Sequence, residues 1–442
     1  MTTIIDIHTH LYSPSYLSLL RSRKTTPYLH DVTNGPSRLI ILPSDNSNHI
    51  PQNLRGRPLD STFSSLIHKT TFMKTHHITT SILSLANPWL DFLPPDESAE
   101  WATEINNEMN GLCSAHPPGR FYAFATLPLS SPPGAIIKEI NRLRTLAFIK
   151  GIILSTTALG NGLDDPAMNA IYSAIQSAGI LVFLHPHYGL PSPDSAFGPR
   201  SRDYGHVLPL SLGFPMETTI AFSRLYLSCA FDRFPHLKIL IAHVGGTLPF
   251  LVGRIESCIS HERHYLAEPA LKPRRSLSEV LRENVWLDAV VYSPTGIKAA
   301  IDVVGVDHVL FGTDHPFFPP LEGEEGTDTE QASGEEHGDT RHWPSASTNI
   351  SAIHTALEED SEGVDMILGG NATRLLGLDL PPSLHSKHKV KVEELRDLRL
   401  ETSGSEEDAG DAGTGTDGER EKERSRGFKE GLGERAGMGW GY

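Results

Sequence analysis

The sequence has few cysteines, no long apolar run and no surplus of basic residues, and each absence excludes a class of protein. Three cysteines occur in 442 residues, with no Cys-x-x-Cys pair, so neither a disulfide framework nor a thiolate zinc site is indicated. No run of 18 apolar residues and no signal peptide is found, so we expect no membrane partner. The formal net charge of −16 argues against nucleic acid as a partner. Together these absences predict a cytoplasmic protein in a reducing compartment.

Acidic residues are concentrated in one internal segment. Residues 321–340 contain eight acidic residues and no Lys or Arg, and they have too few apolar residues to form a core. We therefore predict a disordered acidic insert over 321–346. Residues 381–442 are rich in Gly, Ser and Glu and predict a largely disordered polar tail. The folded domain is predicted to span 1–380.

Eight short β-forming runs alternate with helix-like stretches along that domain. Such an alternation, with largely apolar strands, is typical of an α/β protein with a parallel (β/α)₈ barrel of the TIM type. The segment 11–62 is longer than an ordinary strand-to-helix connection, which predicts an insertion over the barrel mouth after strand 1. The eight runs are TIIDIHTH, TTSILSLA, RFYAFATLPL, FIKGIILST, GILVFLHP, LKILIAHVGG, NVWLDAVVY and HVLFGTDHP.

Five residues with metal-ligand side chains are predicted at the C-terminal ends of these strands, which all lie on the same face of the predicted barrel. His8 and His10 alternate with Ile5 and Ile7 in the first strand, so both imidazoles point to one side. The others are predicted at the ends of strands 5, 6 and 8, where the chemistry of such barrels occurs. Those three are His185, His243 and Asp314.

Imidazoles with a carboxylate and open positions favour Zn²⁺, although other divalent ions are possible. One ion is expected rather than two, because Lys150 lies at the start of strand 4, where it could not serve as a bridging carboxylated lysine. His187 and His315 are adjacent to the proposed ligands but are out of register with them, and we predict that His315 points away.

Longer motifs resemble a known family. The pattern of His-x-His, two later histidines and Asp314 resembles the amidohydrolase superfamily, in its branch similar to aminocarboxymuconate semialdehyde decarboxylase. More closely, several motifs resemble the fungal uracil-5-carboxylate (isoorotate) decarboxylases. These motifs are DIHTHLYSPSYLSLLRSR, GRPLD, SLANPWLDFL, LVFLHPHYGLP, FGPRSRDYGHVLPLSLGFPMETTIA and FGTDHPFFPP.

The resemblance implies a role for each of these residues. Arg57 would pair with the substrate carboxylate, Asn87 would hydrogen-bond the pyrimidine edge, and Phe317 would stack on the ring. His243 would lie near the metal and handle protons. The metal ligands would be His8, His10, His185 and Asp314.

The implied reaction is the metal-dependent, non-oxidative conversion of uracil-5-carboxylate to uracil, as in pyrimidine (thymidine) salvage. Asp314 is the candidate to protonate the ring carbon that carries the carboxylate, and the metal would act as a Lewis acid, with no organic cofactor. The metal ligands alone are also compatible with two other enzyme functions. One is a decarboxylase of another unsaturated or aromatic carboxylate, such as aminocarboxymuconate semialdehyde, and the other is a metal-dependent amide or lactone hydrolase. A catalytically silent binding module is a third alternative. The resemblance also implies a homodimer.

Overall fold

The structure is a computed structural model that describes residues 3–33, 35–46, 50–51, 55–190, 193–320, 341–358 and 360–380. The acidic residues 321–340 and the tail 381–442 lie outside the described residues, so the disorder expected of them stays a prediction. Within the described part, none of the helices has both the length and the apolar character needed to cross a bilayer.

Eight parallel strands form the barrel, which confirms the predicted fold class. Neighbouring strands pair in the order in which they occur along the chain, and each predicted run contains one of them. Three further strands, β2 to β4 in chain order, lie between β1 and β5 and form a separate sheet. The barrel strands are β1 (Ile5–His10), β5 (Thr80–Ser84), β6 (Phe121–Ala125), β7 (Ile149–Ser155), β8 (Leu181–His185), β9 (Ile239–Ile241), β10 (Val285–Asp288) and β11 (Val309–Leu310).

The chain after β11 closes the barrel against β1. Beyond this two-residue strand, the Asp314 N–H donates to the His8 carbonyl at 2.8 Å, and the His10 N–H donates to the His315 carbonyl at 2.8 Å. Because parallel strands end at the same rim, this closure brings the beginning of the chain beside residues three hundred positions later.

Helices occupy the connections between strands, and two of them show the residues typical of helix ends, a glycine after the last turn and a proline in the first. Gly179 ends α5 in the left-handed conformation (φ 67°), and Pro294 lies in the first turn of α12. The helices are α1 (Pro14–Ser22), α2 (Leu66–Thr75), α3 (Pro95–Ser114), α4 (Pro133–Leu143), α5 (Met168–Ala178), α6 (Pro193–Phe197), α7 (Phe214–Leu227), α8 (Ala230–Arg233), α9 (Leu248–His261), α10 (Arg263–Ala267), α11 (Leu277–Asn284), α12 (Pro294–Val304), α13 (Pro344–Leu357), α14 (Ser361–Asp365) and α15 (Asn371–Leu376).

The long connection between β1 and β5 contains its own small sheet. After α1, an antiparallel sheet is formed by β2 (Tyr28–His30), β3 (Ser37–Ile40) and β4 (Arg57–Leu59). The guanidinium carbon of Arg57 in β4 lies 4.7 Å from the ring centre of Phe317, on the loop after β11. The insertion therefore reaches the rim at which the barrel strands end.

The predicted acidic insert, 321–346, extends too far toward the C-terminus. Helix α13 begins at Pro344, and Trp343 before it is fully buried, with its ring 5.8 Å from Phe72 and 4.3 Å from His315. The prediction followed the polar composition across 341–346. A single tryptophan changes such an average little, yet its burial removes a large apolar surface from water and fixes the chain to the barrel.

Candidate active site

The two histidines of β1 form one side of a buried cluster. The strand alternation places His8 and His10 on the same face, where their rings meet edge to face at 5.1 Å. Their Nε2 atoms are 3.2 Å apart, and both side chains are buried. Two imidazole nitrogens that face each other at this distance can share one cation.

The remaining predicted residues come to this cluster by two routes. His185 is the last residue of β8, as predicted. His243 and Asp314 do not end their strands, which is a correction: β9 ends at Ile241 and β11 at Leu310. Both residues instead lie in turns with left-handed backbone (φ 54° and 59°), which direct their side chains back to the rim. Strand periodicity cannot predict such turns, because they break it.

The two oxygens of Asp314 face different groups. Oδ1 lies 3.2 Å from Nε2 of His8 and 3.2 Å from Nε2 of His10, whereas Oδ2 lies 3.6 Å from Nε2 of His243. One oxygen is thus directed at the paired histidines of β1. The other oxygen faces His243.

Four of the five residues form one group with metal-ligand spacing. One donor atom from each lies within 4.8 Å of the others, and no second group of this kind occurs among the residues that the structure describes. The ring of His243 is adjacent to the group, 5.2 Å from the ring of His8 and 5.4 Å from that of His185. The group consists of His8, His10, His185 and Asp314.

Each histidine of the group is held in the tautomer that binds a cation. Because the Nδ1–H of each ring is bonded to the protein, the lone pair is left on Nε2. Nε2 of His185 is buried and has no hydrogen-bond partner within the described part of the chain. The residues therefore fit a divalent cation. The Nδ1 partners are Asp288 Oδ2 for His8 (2.6 Å), Ser84 Oγ for His10 (3.0 Å) and the Pro186 carbonyl for His185 (2.7 Å).

The charges of the site also favour a cation. Burial lowers the pKa of His10 to about 4 and keeps this ring neutral. Burial acts on His8 in the same direction, but Asp314 and Asp288 outweigh it and raise the pKa of His8 to about 10. Burial alone would raise the pKa of the Asp314 carboxyl, but His8, His10 and His243 hold it well below its usual value. Two carboxylates that hold a proton on His8 would equally attract a divalent ion, which displaces that proton.

Arg57 and the cluster both adjoin Phe317. The Phe317 ring contacts the His10 ring edge to face at 5.4 Å, and the guanidinium carbon of Arg57 lies 4.7 Å from the centre of the same ring. Arg57 donates from Nη2 to the Tyr12 hydroxyl at 2.5 Å, and Tyr12 donates to the Asn87 carbonyl at 2.7 Å. The Nε of Arg57 is buried without a partner among residues that the structure describes. A guanidinium with an unused buried N–H is ready for an oxygen of a ligand.

Asn87, on the loop after β5, is hydrogen-bonded to the loop after β8. Its side-chain amide donates to the His187 carbonyl at 2.6 Å. Glu217 of α7 fixes this loop by accepting from the backbone N–H groups of His187 (3.0 Å) and Gly189 (2.8 Å). Burial raises the pKa of Glu217, which these hydrogen bonds oppose. Glu217 therefore fixes the loop after β8, and this loop fixes the side chain of Asn87.

The other nearby histidines lie outside the metal group. His187 is buried and stacks on Tyr188 at 3.6 Å. His315 points away from the group, as predicted, with Nδ1 2.5 Å from the Nζ of Lys69. Lys69 is a fully buried lysine of α2 that sequence reasoning missed, and burial lowers its pKa to about 7.

Two more residues at the site were not predicted from sequence. Asp288 ends β10 at the rim, so the signal used for strand-end ligands applies to it. Tyr12 lies two positions after His10, which continues the alternation of β1 past the strand end. The sequence could not indicate their roles, because each acts by holding another side chain.

Comparisons with known proteins relate the chain to one family of enzymes. A family model described as amidohydrolase matches residues 5–378. The structure resembles the crystal structure of IDCase from Metarhizium anisopliae in apo form, with 44% identity, a TM-score of 0.77, and coverage of 86% of this chain and 98% of that one. The 2-amino-3-carboxymuconate-6-semialdehyde decarboxylase of Dictyostelium discoideum is 28% identical over 64% of this chain and 68% of its own length. The gamma-resorcylate decarboxylase of Rhizobium radiobacter is 31% identical over 55% of this chain and 75% of its own length.

Substitution of Asp288 tests the support behind His8. We expect Asp288→Asn to bind a divalent ion about 10- to 100-fold more weakly, because the carboxylate that orients the ring and increases its basicity is lost. Competition with a chromophoric chelator measures the affinity. Asp302→Asn, on the exposed side of α12, is the matched control and should bind like wild type.

Asp288 also accepts from the N–H groups of Val244 (3.0 Å) and Val290 (3.1 Å), so circular dichroism must first show that the variant is folded. A folded Asp288→Asn protein with wild-type metal affinity would contradict a supporting role.

Proposed function

The chain belongs to the amidohydrolase family, and we propose that it removes the carboxyl group of uracil-5-carboxylate to release uracil. The observation that carries this proposal is the pairing of one metal-ligand group with an incompletely bonded, buried guanidinium, both of which adjoin the ring of Phe317. A ring between those two sites would present its carboxylate to one and a carbonyl to the other.

The relatives support the reaction class. All three are decarboxylases, and the chain is accordingly a carboxy-lyase. The IDCase of Metarhizium is an isoorotate decarboxylase, and the match covers 98% of its chain. This resemblance favours a pyrimidine carboxylate over the benzoate-type acid named for the Rhizobium relative.

We infer that the group holds one ion, most simply Zn²⁺, because three imidazoles and one carboxylate with open positions are its preferred ligands. The second site of two-metal barrels requires a lysine at the end of the fourth strand. Here Lys150 lies at the start of β7, with Nζ 4.9 Å from the ring centre of Tyr122. A bound divalent ion would supply Lewis acidity to the ring carbonyl.

Arg57 would bind the substrate carboxylate. Its fork-shaped guanidinium can give two parallel hydrogen bonds to a carboxylate, and Nε is unused and shielded from water. Tyr12 holds Nη2 and thereby sets the plane of the guanidinium. Phe317, which contacts both Arg57 and His10, would stack on the substrate ring, while the carbonyl oxygen of the Asn87 side chain remains to accept from a ring N–H.

Asp314 would carry the proton. His8, His10 and His243 hold its pKa well below the usual value, so the protonated carboxyl would give up its proton readily. Oδ2, which faces His243, is the oxygen suited to this exchange. The proton moves to C5, the bond from C5 to the carboxyl carbon breaks, and its electron pair returns to the ring. Carbon dioxide leaves, the proton stays on C5 of uracil, and Asp314 is reprotonated through His243.

A homodimer is also proposed. Large apolar side chains are exposed on the segment before α7, on α7 and at the start of α9, two helices that a hydrogen bond between Thr219 and Thr247 (3.1 Å) joins. Large apolar side chains that are exposed on neighbouring elements can mark a protein interface. The exposed residues are Val207 (65%), Leu212 (47%), Ile220 (47%) and Phe250 (65%).

The proposed function is tested by product analysis. Zinc-loaded protein should convert 5-carboxyuracil to uracil, detected by liquid chromatography, and should leave a panel of cyclic amides and lactones intact. Turnover of the panel without decarboxylation would favour a hydrolase, and no turnover of either would favour a binding module.

Arg57→Ala should raise the KM for 5-carboxyuracil far more than Arg57→Lys, because lysine keeps the charge but loses the fork. Uracil lacks the carboxylate, so its inhibition constant should change little. Arg21→Ala, on the exposed side of α1, is the control. Equal weakening of substrate and uracil would mean that Arg57 shapes the pocket instead of binding the carboxylate.

Asp314→Asn, fully loaded with zinc, should bind 5-carboxyuracil yet turn it over at least about a hundredfold more slowly, because the amide cannot deliver the proton. Single-turnover decarboxylation, with zinc measured on the same samples, gives the rate. His243→Asn should fall between this variant and wild type, and the exposed Asp307→Asn should match wild type. Near-normal chemistry in loaded Asp314→Asn would assign the proton to another group.

Sedimentation velocity should give about twice the chain mass of 48.5 kDa. Val207→Glu combined with Phe250→Glu should produce monomers, because each buries a charge in the proposed interface. Leu266→Glu, at a side chain of α10 that is 64% exposed, should remain dimeric. A monomeric wild-type protein would contradict the dimer.

A further inference from the structure

Tyr292 lies on the loop after β10, at the same rim as the metal group. The loop starts at Asp288, which holds His8, and continues past Val290, whose N–H donates to Asp288 Oδ1 at 3.1 Å. The Tyr292 ring meets the ring of Phe318 edge to face at 6.1 Å, and Phe318 follows Phe317 directly. Tyr292 therefore lies on the loop that begins at Asp288, the partner of His8, and it contacts Phe318, the residue next to Phe317.

The backbone around Tyr292 is held in place. Its φ of 54° is left-handed, a conformation that non-glycine residues rarely adopt. The fully buried Asn349 accepts from the Tyr292 N–H at 2.9 Å and donates to the Gly312 carbonyl at 3.1 Å. A Cβ on Gly312 would lie 2.7 Å from His8 Cβ and 3.0 Å from Val290 Cγ2, so this contact requires glycine. Asn349 thus fixes Tyr292 relative to the strand that leads to Asp314.

The Tyr292 hydroxyl is shielded from water and has no hydrogen-bond partner in residues 3–320 and 341–380 as far as the structure describes them. Burial raises the pKa of Tyr292, and the charges of Asp314 and Asp288 raise it further. The hydroxyl is thus a neutral donor close to those two carboxylates. A buried donor is normally bonded, because leaving it unpaired destabilises the protein.

We propose that the Tyr292 hydroxyl is kept for the substrate and donates a hydrogen bond to the ring carbonyl oxygen beside the carboxylate-bearing carbon. This inference rests on the proposed function and deepens it. Arg57 would bind the carboxylate, whereas Tyr292 would reach the carbonyl oxygen from the loop after β10. The two donors would select a ring that carries a carboxylate and a carbonyl on neighbouring carbons.

The contact would also act during the reaction. When the bond to the carboxyl carbon breaks, the returning electron pair increases the negative charge on that carbonyl oxygen. A donor already aimed at the oxygen strengthens its bond as the charge grows, with little reorganisation. Tyr292 would then affect kcat as well as binding.

Tyr292→Phe removes the hydroxyl and keeps the ring. Calorimetric titration of the zinc-loaded protein should show uracil binding about 3- to 10-fold more weakly, the size expected of one neutral hydrogen bond. 4-Thiouracil presents sulfur, a poor acceptor, at the same position, so its affinity should change by less than about twofold. For 5-carboxyuracil, kcat should fall about tenfold or more. The Tm of the ligand-free protein should not fall, because no hydrogen bond is lost there.

Tyr122→Phe is the matched control, because the Tyr122 hydroxyl donates to the Asp379 carbonyl at 2.7 Å, away from the rim. It should lower the Tm and leave uracil affinity unchanged. Equal weakening of uracil and 4-thiouracil by Tyr292→Phe, or a lower Tm with unchanged binding, would overturn the inference. An active wild type with an unaffected Tyr292→Phe would overturn this inference alone. A wild type that neither turns over 5-carboxyuracil nor binds uracil would overturn the proposed function and this contact with it.

Discussion

The site depends on hydrogen bonds made behind the imidazoles rather than between them. His8, His10 and His185 each donate from Nδ1 to a different kind of acceptor, namely a carboxylate, a hydroxyl and a backbone carbonyl. These bonds fix the ring planes and leave three Nε2 lone pairs near one point. Without them each ring could rotate or exchange tautomers, and an ion would have to order the ligands as it bound.

The barrel closure has a second consequence for Asp314. The chain leaves β11 after two residues, bonds to the backbone of β1 and turns through a left-handed residue. On this path one carboxylate faces two histidines with one oxygen and His243 with the other. The left-handed turn is thus linked to the position of Asp314 between the two histidines of β1 and His243.

The proposed substrate contacts lie on elements outside the eight barrel strands. The small sheet carries Arg57 to the rim, and Tyr12 links it to the loop after β5 through Asn87. The loop after β10 carries Tyr292. The barrel strands and the turns that follow them thus place the metal-ligand group, while the proposed selection of the substrate ring falls to the rim loops.

The sequence by itself predicted the fold and the five candidate residues from which the metal-ligand group is drawn, because both follow from short-range patterns. Strand alternation put His8 and His10 on one face, and the recurrence of apolar runs implied a barrel whose strand ends share a rim. It did not determine the Nδ1 partners, the turns at His243 and Asp314, or the burial of Trp343. Each of these depends on residues tens to hundreds of positions apart. The sequence does not indicate Asp288 or Tyr292 for the same reason. A carboxylate that supports a ligand and an unpaired hydroxyl are both defined by their neighbours in space. Only the tertiary structure supplies those neighbours.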